Sequence, residues 1–230
     1  MGRHGPVLAL CRRKSAPVVV DQITATLGAH LTGLRLAGHN VILPTLALKA
    51  LRDLPDAATP SRVAGICQLI ESSRTEDFPL ADDFVLPDMR DQVRTAEFIL
   101  TEFIDCSERF MGRVQAWLCH LLTYGRALFD LRELGYWELA TQAEEGFKLY
   151  IRRIRKGLKD TDKPRDEHAP IENFPLQAAY WRPHSGGDLH LGHKLKYPYG
   201  FYGLPRLSKD SDLQRRCLDV AYRIFFGKRS

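Results

Sequence analysis

No apolar run in these 230 residues approaches the roughly 18–20 that cross a bilayer; the longest, Val41 to Leu48, is broken by Pro44 and Thr45. A membrane span is therefore not expected. Cysteine is scarce: Cys11, Cys67, Cys106, Cys119 and Cys217 are odd in number and widely separated, which reads as reduced thiols in a cytoplasmic protein and not as a disulfide framework. The first twenty residues contain no acid, only Arg3, Arg12, Arg13 and Lys14, and lack the apolar centre of a secretory signal. Residues 1–20 are read as a loose basic tail. Pro6 stands where an N-myristoylation signal needs Ser or Thr. Sustained apolar/polar alternation is missing, which excludes a strand-rich fold, and no Gly-rich nucleotide fingerprint occurs.

What is present is an ordinary globular composition, 44% hydrophobic and 27% charged, long enough to bury one sizeable core. The net charge of +5 is unevenly spread. Glu71, Glu76, Asp77, Asp82, Asp83, Asp88 and Asp91 make an acidic stretch, while Arg152, Arg153, Arg155, Lys156, Lys159, Lys163 and Arg165 run off a helix end. Cations suit a helix C-terminus, and no aromatic residues interleave with them, so a nucleic-acid partner is not expected.

A segment headed by histidine is written three times: His39-Asn-Val-Ile-Leu-Pro44, His120-Leu-Leu-Thr-Tyr-Gly125 and His193-Lys-Leu-Lys-Tyr-Pro198. Each copy closes on a Leu-x-x-Leu step into a turn, Leu51 to Leu54, Leu131 to Leu134 and Leu204 to Leu207. Such repeats report a unit that cannot bury its apolar face alone and stacks on its neighbours. The fold expected is all-α: stacked helical hairpins forming a partial or complete α/α toroid, one domain over residues 21–230. The hairpins fall at about 40–71, 117–156 and 193–226.

Helices are expected over about 21–36, with Asp21 as N-cap, and 44–53, with Pro44 in the first turn and His39 and Asn40 in the preceding connection. Thr59-Pro60 opens the next helix by a cap-then-proline signature. Met89, Val93, Ala96, Leu100 and Phe103 share one face of a helix over about 88–110. Leu139, Ala143, Phe147, Tyr150 and Ile154 do so over 137–156. A loop rich in Pro and Gly over 157–192, with a short helix near 175–181, precedes a last helix at 211–226.

Stacked hairpins put equivalent positions on one rim, so His39, His120 and His193 are the candidate catalytic residues. At a helix N-terminus the dipole favours neutral imidazole, the form a general base needs. Tyr124 and Tyr197, one turn further on, are candidate substrate-binding phenols, with Arg126 for an anionic group and Trp117, Trp181, Tyr199 and Tyr202 as an aromatic platform. Lys196, like Arg126, is read either as binding an anionic substrate group or as projecting into solvent. His184, Asp188, His190 and His193 form a weak candidate set of metal ligands, and no metal or cofactor is assigned.

The segments Ala127-Leu128-Phe129-Asp130-Leu131-Arg132-Glu133-Leu134-Gly135 and Tyr202-Gly203-Leu204-Pro205-Arg206-Leu207-Ser208 resemble helical hairpins of α/α toroids, the six-hairpin glycosidases and N-acylglucosamine 2-epimerases. The likeness covers most of residues 36–226. It implies a sugar-like small-molecule substrate and a rim active site, with histidine acid-base chemistry in epimerases and carboxylates in glycoside hydrolases. No Asp or Glu occupies the repeated histidine position, and only three hairpins are counted where closed toroids use about six. A second resemblance, carried by His193-Lys-Leu-Lys-Tyr197, is to questin-oxidase-like proteins and implies oxidation of aromatic polyketides with a nicotinamide cofactor. A non-catalytic helical scaffold or truncated relative is the alternative from another class.

Overall fold

The computed structural model describes residues 16–76, 85–109, 118–156, 174–182 and 191–226. In chain order its helices are α1 (Ala16–Ala29), α2 (His39–Asp53), α3 (Pro60–Glu71), α4 (Gln92–Arg109), α5 (Leu118–Glu133), α6 (Trp137–Arg155), α7 (Ala178–Trp181), α8 (Leu191–Gly203) and α9 (Ser211–Phe226). Extended pairing among the described residues is confined to one antiparallel bridge between Arg35 and Thr75. The fold is all-α. No described helix is long and apolar enough to cross a membrane.

Local signals set several ends. The Thr59 side chain accepts from the Arg62 N–H ahead of Pro60, and the Asp91 carboxylate accepts from the Arg94 N–H at 3.0 Å, capping α4. Helix α5 stops where Gly135 turns left-handed (φ 89°), with Gly135 N–H bonded to Arg132 O and Tyr136 N–H to Leu131 O. That paired closure satisfies carbonyls the helix leaves open.

Two boundaries differ from expectation. Helix α1 starts at Ala16 and ends at Ala29, so Asp21 is interior, not a cap, and residues 16–20 belong to the helix. Pro17, at the second helical position, sacrifices only an N–H that has no partner there. Helix α2 starts at His39, five residues before Pro44, which is therefore helix-interior and cannot donate to the Asn40 carbonyl. Pro198 is likewise inside α8, whereas Pro205 stands in a 3-10 turn just beyond its end.

The packing repeats as the sequence does. The hairpin pairs α2/α3, α5/α6 and α8/α9 each pack internally; α2 lies on α5 as α5 lies on α8, and α1 lies on α6 as α4 lies on α9. Helix α5 is the centre, with described side chains from Leu118 to Arg132 all buried. Each Leu or Phe removed from water there contributes about 1.5–3 kcal/mol.

Helices α2 and α5 run parallel and in step, because His39 meets His120 and, ten residues on, Lys49 meets Asp130; both pairs are 81 positions apart. Helix α8 runs parallel to α5 but out of step with the repeat. Lys196 meets His120, a Cβ on Gly200 would lie 2.8–3.0 Å from Thr123 and Leu122 atoms, and one on Gly203 would lie 3.3 Å from Arg126. The repeat spacing is 73, so α8 is displaced by about one helical turn. The displacement shows in the core: Val41 and Leu122 are buried, but their counterpart Leu195 is 50% exposed.

Candidate functional site

The first turn of α2 is set by a strained connection. Leu36 (φ 41°), Ala37 (φ 54°) and Gly38 (φ 85°) are consecutive left-handed residues, a conformation that costs about 1–2 kcal/mol for each one bearing a Cβ. The turn is held from several sides. Ala37 N–H donates to Glu76 Oε1 at 2.5 Å, Leu36 N–H to Arg74 O at 3.1 Å, and Glu76 N–H to Leu34 O at 2.8 Å. Glu76 is also ion-paired with Arg153 of α6. The Leu36 carbonyl then lies 2.5 Å from His39 Nδ1. A carbonyl only accepts, so Nδ1 carries a proton, and whenever the ring is neutral its lone pair is on Nε2, facing inward.

Two further helices bring nitrogen to that lone pair. His120, in the first turn of α5, places Nε2 3.2 Å from His39 Nε2, and Lys196 of α8 places Nζ 2.5 Å from His39 Nε2 and 2.7 Å from His120 Nε2. The three nitrogens form a closed triangle. His120 and Lys196 are buried, 4% and 1% exposed, while His39 keeps partial exposure. Nitrogens this close in a low-dielectric setting disfavour a separate positive charge on each. Lys196 as ammonium donates to both rings; transfer of one proton to either ring leaves a neutral amine beside an imidazolium. Tyr197 borders the cluster, its ring edge-on to His120 at 5.5 Å between centroids and 5.2 Å from Lys196 Nζ.

A second polar cluster lies further along the same three helices. The Asp130 side chain, fully buried, accepts from Lys49 Nζ and Arg126 at 2.7 Å each and from the Tyr199 hydroxyl at 2.6 Å. Glu133 adds two bonds to Arg126 at 2.8 and 3.0 Å. Burial lowers the Lys49 ammonium's affinity for its proton, but hydrogen bonds to Asp130 and Tyr199 outweigh it and the net shift is upward from 10.5. Burial, then the Asp130 hydrogen bond, raises the Tyr199 phenol above 10.0, and burial alone raises Tyr124.

Both signs point the same way in pH. A raised lysine contributes stability that is present below 10.5 and lost as pH rises through the folded value; a phenol kept neutral by the fold is penalised once the unfolded chain ionises above 10.0. The melting temperature is therefore expected to fall steadily from pH 10 upward, followed by circular dichroism. A melting temperature constant to pH 11 would contradict the assignment.

The candidate residues divide accordingly. His39 and His120 come together, with Tyr197 beside them. His193 lies in the first turn of α8, one turn before Lys196, and its side chain is outside the described residues, as are Trp117, His184, Asp188 and His190. Three others are directed elsewhere. Tyr124 is buried and its hydroxyl donates to Ala143 O at 3.0 Å, so it serves the α5/α6 contact and not the rim. Arg126 is neither solvated nor at the histidines; it is buried against Asp130 and Glu133, two turns down α5. Trp181 donates Nε1–H to Pro175 O at 2.7 Å and packs on Tyr180.

Lys49 and Asp130 are the residues that sequence reading leaves out of the site, while it offers Lys196 only as an anion-binding or solvent-facing cation and Tyr199 only as part of an aromatic platform. For one pair a signal existed: Lys49 follows His39 by the same ten residues as Asp130 follows His120, opposite charges at one repeat position.

Among the described residues no group of three or more His, Cys, Asp or Glu side chains is placed to hold a metal ion. A separate cleft of about 690 Å³ is lined by Asp88, Arg90, Arg132, Trp137, Glu144 and Lys148 among others and includes none of the triangle. Arg132 and Glu144 are ion-paired there. Comparison with protein-family models gave no match, and neither curated proteins nor solved structures gave one.

Proposed function

We propose that this protein is an acid-base enzyme acting on a small, sugar-like carbonyl compound, with epimerase or isomerase chemistry. The observation that carries it is the contact of His39 and His120 through their Nε2 atoms, with Lys196 against both. Two imidazoles and an amine in mutual contact can supply what a 1,1- or 1,2-proton transfer requires: one neutral base to take a proton from the carbon beside a carbonyl, and one protonated nitrogen to return it. Partially exposed His39 faces the substrate first, and Tyr197 offers a ring edge for a sugar face. The likeness to N-acylglucosamine 2-epimerases supports the same reaction class, and the recurring helix contacts fit an open, three-hairpin relative of the α/α toroid. Glycoside hydrolysis is less favoured, because Asp130 and Glu133 are engaged by Lys49 and Arg126. The questin-oxidase-like reading shares the histidine-headed helices and is tested by oxygen uptake with an aromatic substrate.

The test is exchange of carbon-bound hydrogen in D2O, followed by NMR, over dihydroxyacetone, glyceraldehyde and a panel of aldoses, ketoses and N-acylhexosamines. Exchange is expected for at least one, falling by about 10²–10⁴ in His120→Ala, the usual worth of a general base. The near-complete burial of His120 and Lys196 favours a second reading, a non-catalytic scaffold with a structural triangle. Under it, no compound exchanges and His120→Ala changes only the melting temperature.

A further inference from the structure

From the triangle we infer that Lys196 is a covalent residue: its Nζ forms an imine with the carbonyl carbon of an open-chain aldose, ketose or related small carbonyl compound. The inference rests on the acid-base reading above and specifies how that site activates its substrate.

Three observations carry it. Lys196 is 1% exposed, so its amine is screened from bulk water, where an ammonium would be held by hydration. Its nitrogen is 2.5 and 2.7 Å from two Nε2 atoms, one of them fixed as an acceptor by the Leu36 carbonyl on the opposite ring nitrogen. A lysine becomes nucleophilic when an adjacent base removes its proton and low polarity disfavours the charge. Finally, the backbone holds Lys196 at this depth: with no side chain, Gly200 lets α8 sit directly on Thr123 of α5, one turn beyond the lysine. Surface lysines share none of these features.

The steps balance without an oxidant or reductant. Lys196 passes a proton to His39 or His120, and the neutral amine attacks the carbonyl carbon; the carbon–oxygen π pair moves to oxygen, which takes the proton back from the imidazolium. The carbinolamine nitrogen gives up a proton to an imidazole and the hydroxyl leaves as water after protonation, leaving a protonated C=N bond. That cation acidifies the neighbouring C–H far more than the parent carbonyl does, and a neutral imidazole removes the proton to give an enamine. Reprotonation of that same carbon on its other face inverts it and restores the protonated C=N bond. Water then hydrolyses the imine and frees Lys196.

The experiment is borohydride trapping on the full-length protein at neutral pH with dihydroxyacetone and glycolaldehyde as probes, read by intact mass and peptide mapping. The expected result is one reduced adduct per chain on Lys196 before other lysines are labelled, lost in Lys196→Arg and strongly reduced in His120→Gln, with the helical circular dichroism of both variants retained. Labelling spread over exposed lysines with none concentrated on Lys196 would overturn the inference. Should Lys196→Arg fail to fold, the wild-type peptide map decides alone, because it locates the adduct without any variant. Hydrogen exchange is run on the same samples to separate the two claims. Exchange without a Lys196 adduct leaves the acid-base reading standing and removes the imine; an adduct without exchange establishes the imine and removes the proton transfer at carbon. Absence of both removes both.

Discussion

Asp130→Asn is expected to destabilise the protein by about 3–5 kcal/mol, the cost of removing one partner from a buried ion pair. The carboxylate is fully buried and takes hydrogen bonds from Lys49 on α2, Arg126 on α5 and Tyr199 on α8. An amide keeps the shape but cancels the negative charge, so two cations lie beside a neutral group, and its NH2 meets either those cations or a Tyr199 hydroxyl that must turn from donor to acceptor. Glu133 offsets part of the loss, since it already contacts Arg126 at 2.8 Å and Lys49 at 3.8 Å, yet it is more exposed and its charge is better screened. Chemical denaturation with the wild type alongside measures the difference. A shift under 1 kcal/mol would mean that the three helices are held by apolar packing alone. Lys49→Met with Asp130→Asn should lose less than the two single changes added together, because the pair couples directly.

The second large effect is expected at Gly38→Ala, about 2–4 kcal/mol with a loss at the histidine cluster as well. Gly38 is left-handed at φ 85°, where a Cβ is strained by about 1–2 kcal/mol. A Cβ built there also falls 2.4 Å from Cδ1 and 2.7 Å from Cε1 of Tyr124. That ring has no room to yield: it is buried, its hydroxyl is bonded to Ala143 O, and its face meets Phe147 edge-on at 5.2 Å. Overpacking of this kind adds about 1–3 kcal/mol. Relief must come from the backbone of residues 36–38, and His39 is the next residue. Both the melting temperature and any activity that depends on His39 should fall together, whereas a Gly65→Ala control, with open space at its Cβ, should leave activity unchanged. A Gly38→Ala variant that keeps full stability would show that the turn is looser than its hydrogen bonds imply.

Much of this protein was legible along the chain. The Thr59-Pro60 signature marks the start of α3, the stripe from Leu139 to Ile154 marks α6, and α9 covers 211–226 as its periodicity requires. The threefold histidine segment falls in the first turns of three helices, and two of its histidines meet. Helix starts at Ala16 and His39 were less legible, since a proline in the second or sixth position of a helix reads equally well as a beginning or an interruption. The surroundings of Arg126 and Tyr124 were hidden for a different reason: periodicity gives a helix one polar face, but α5 is covered on every side, so its polar residues are buried and must find partners inside.

By itself the sequence determined the helical class, the three hairpins and the recurrence of histidine at helix starts, because hydrophobic spacing, caps and prolines act within a few residues of one another. Only the tertiary structure decided which side chains meet. Contact between parallel helices depends on their relative rotation and axial offset, and an offset of one turn, about 5.4 Å, exchanges one residue for another three or four places away. Gly200 seated against Thr123 selects that offset for α8, and so Lys196 completes the cluster with His39 and His120. Tyr199 of the same helix reaches Asp130, a contact that no spacing within a single helix encodes.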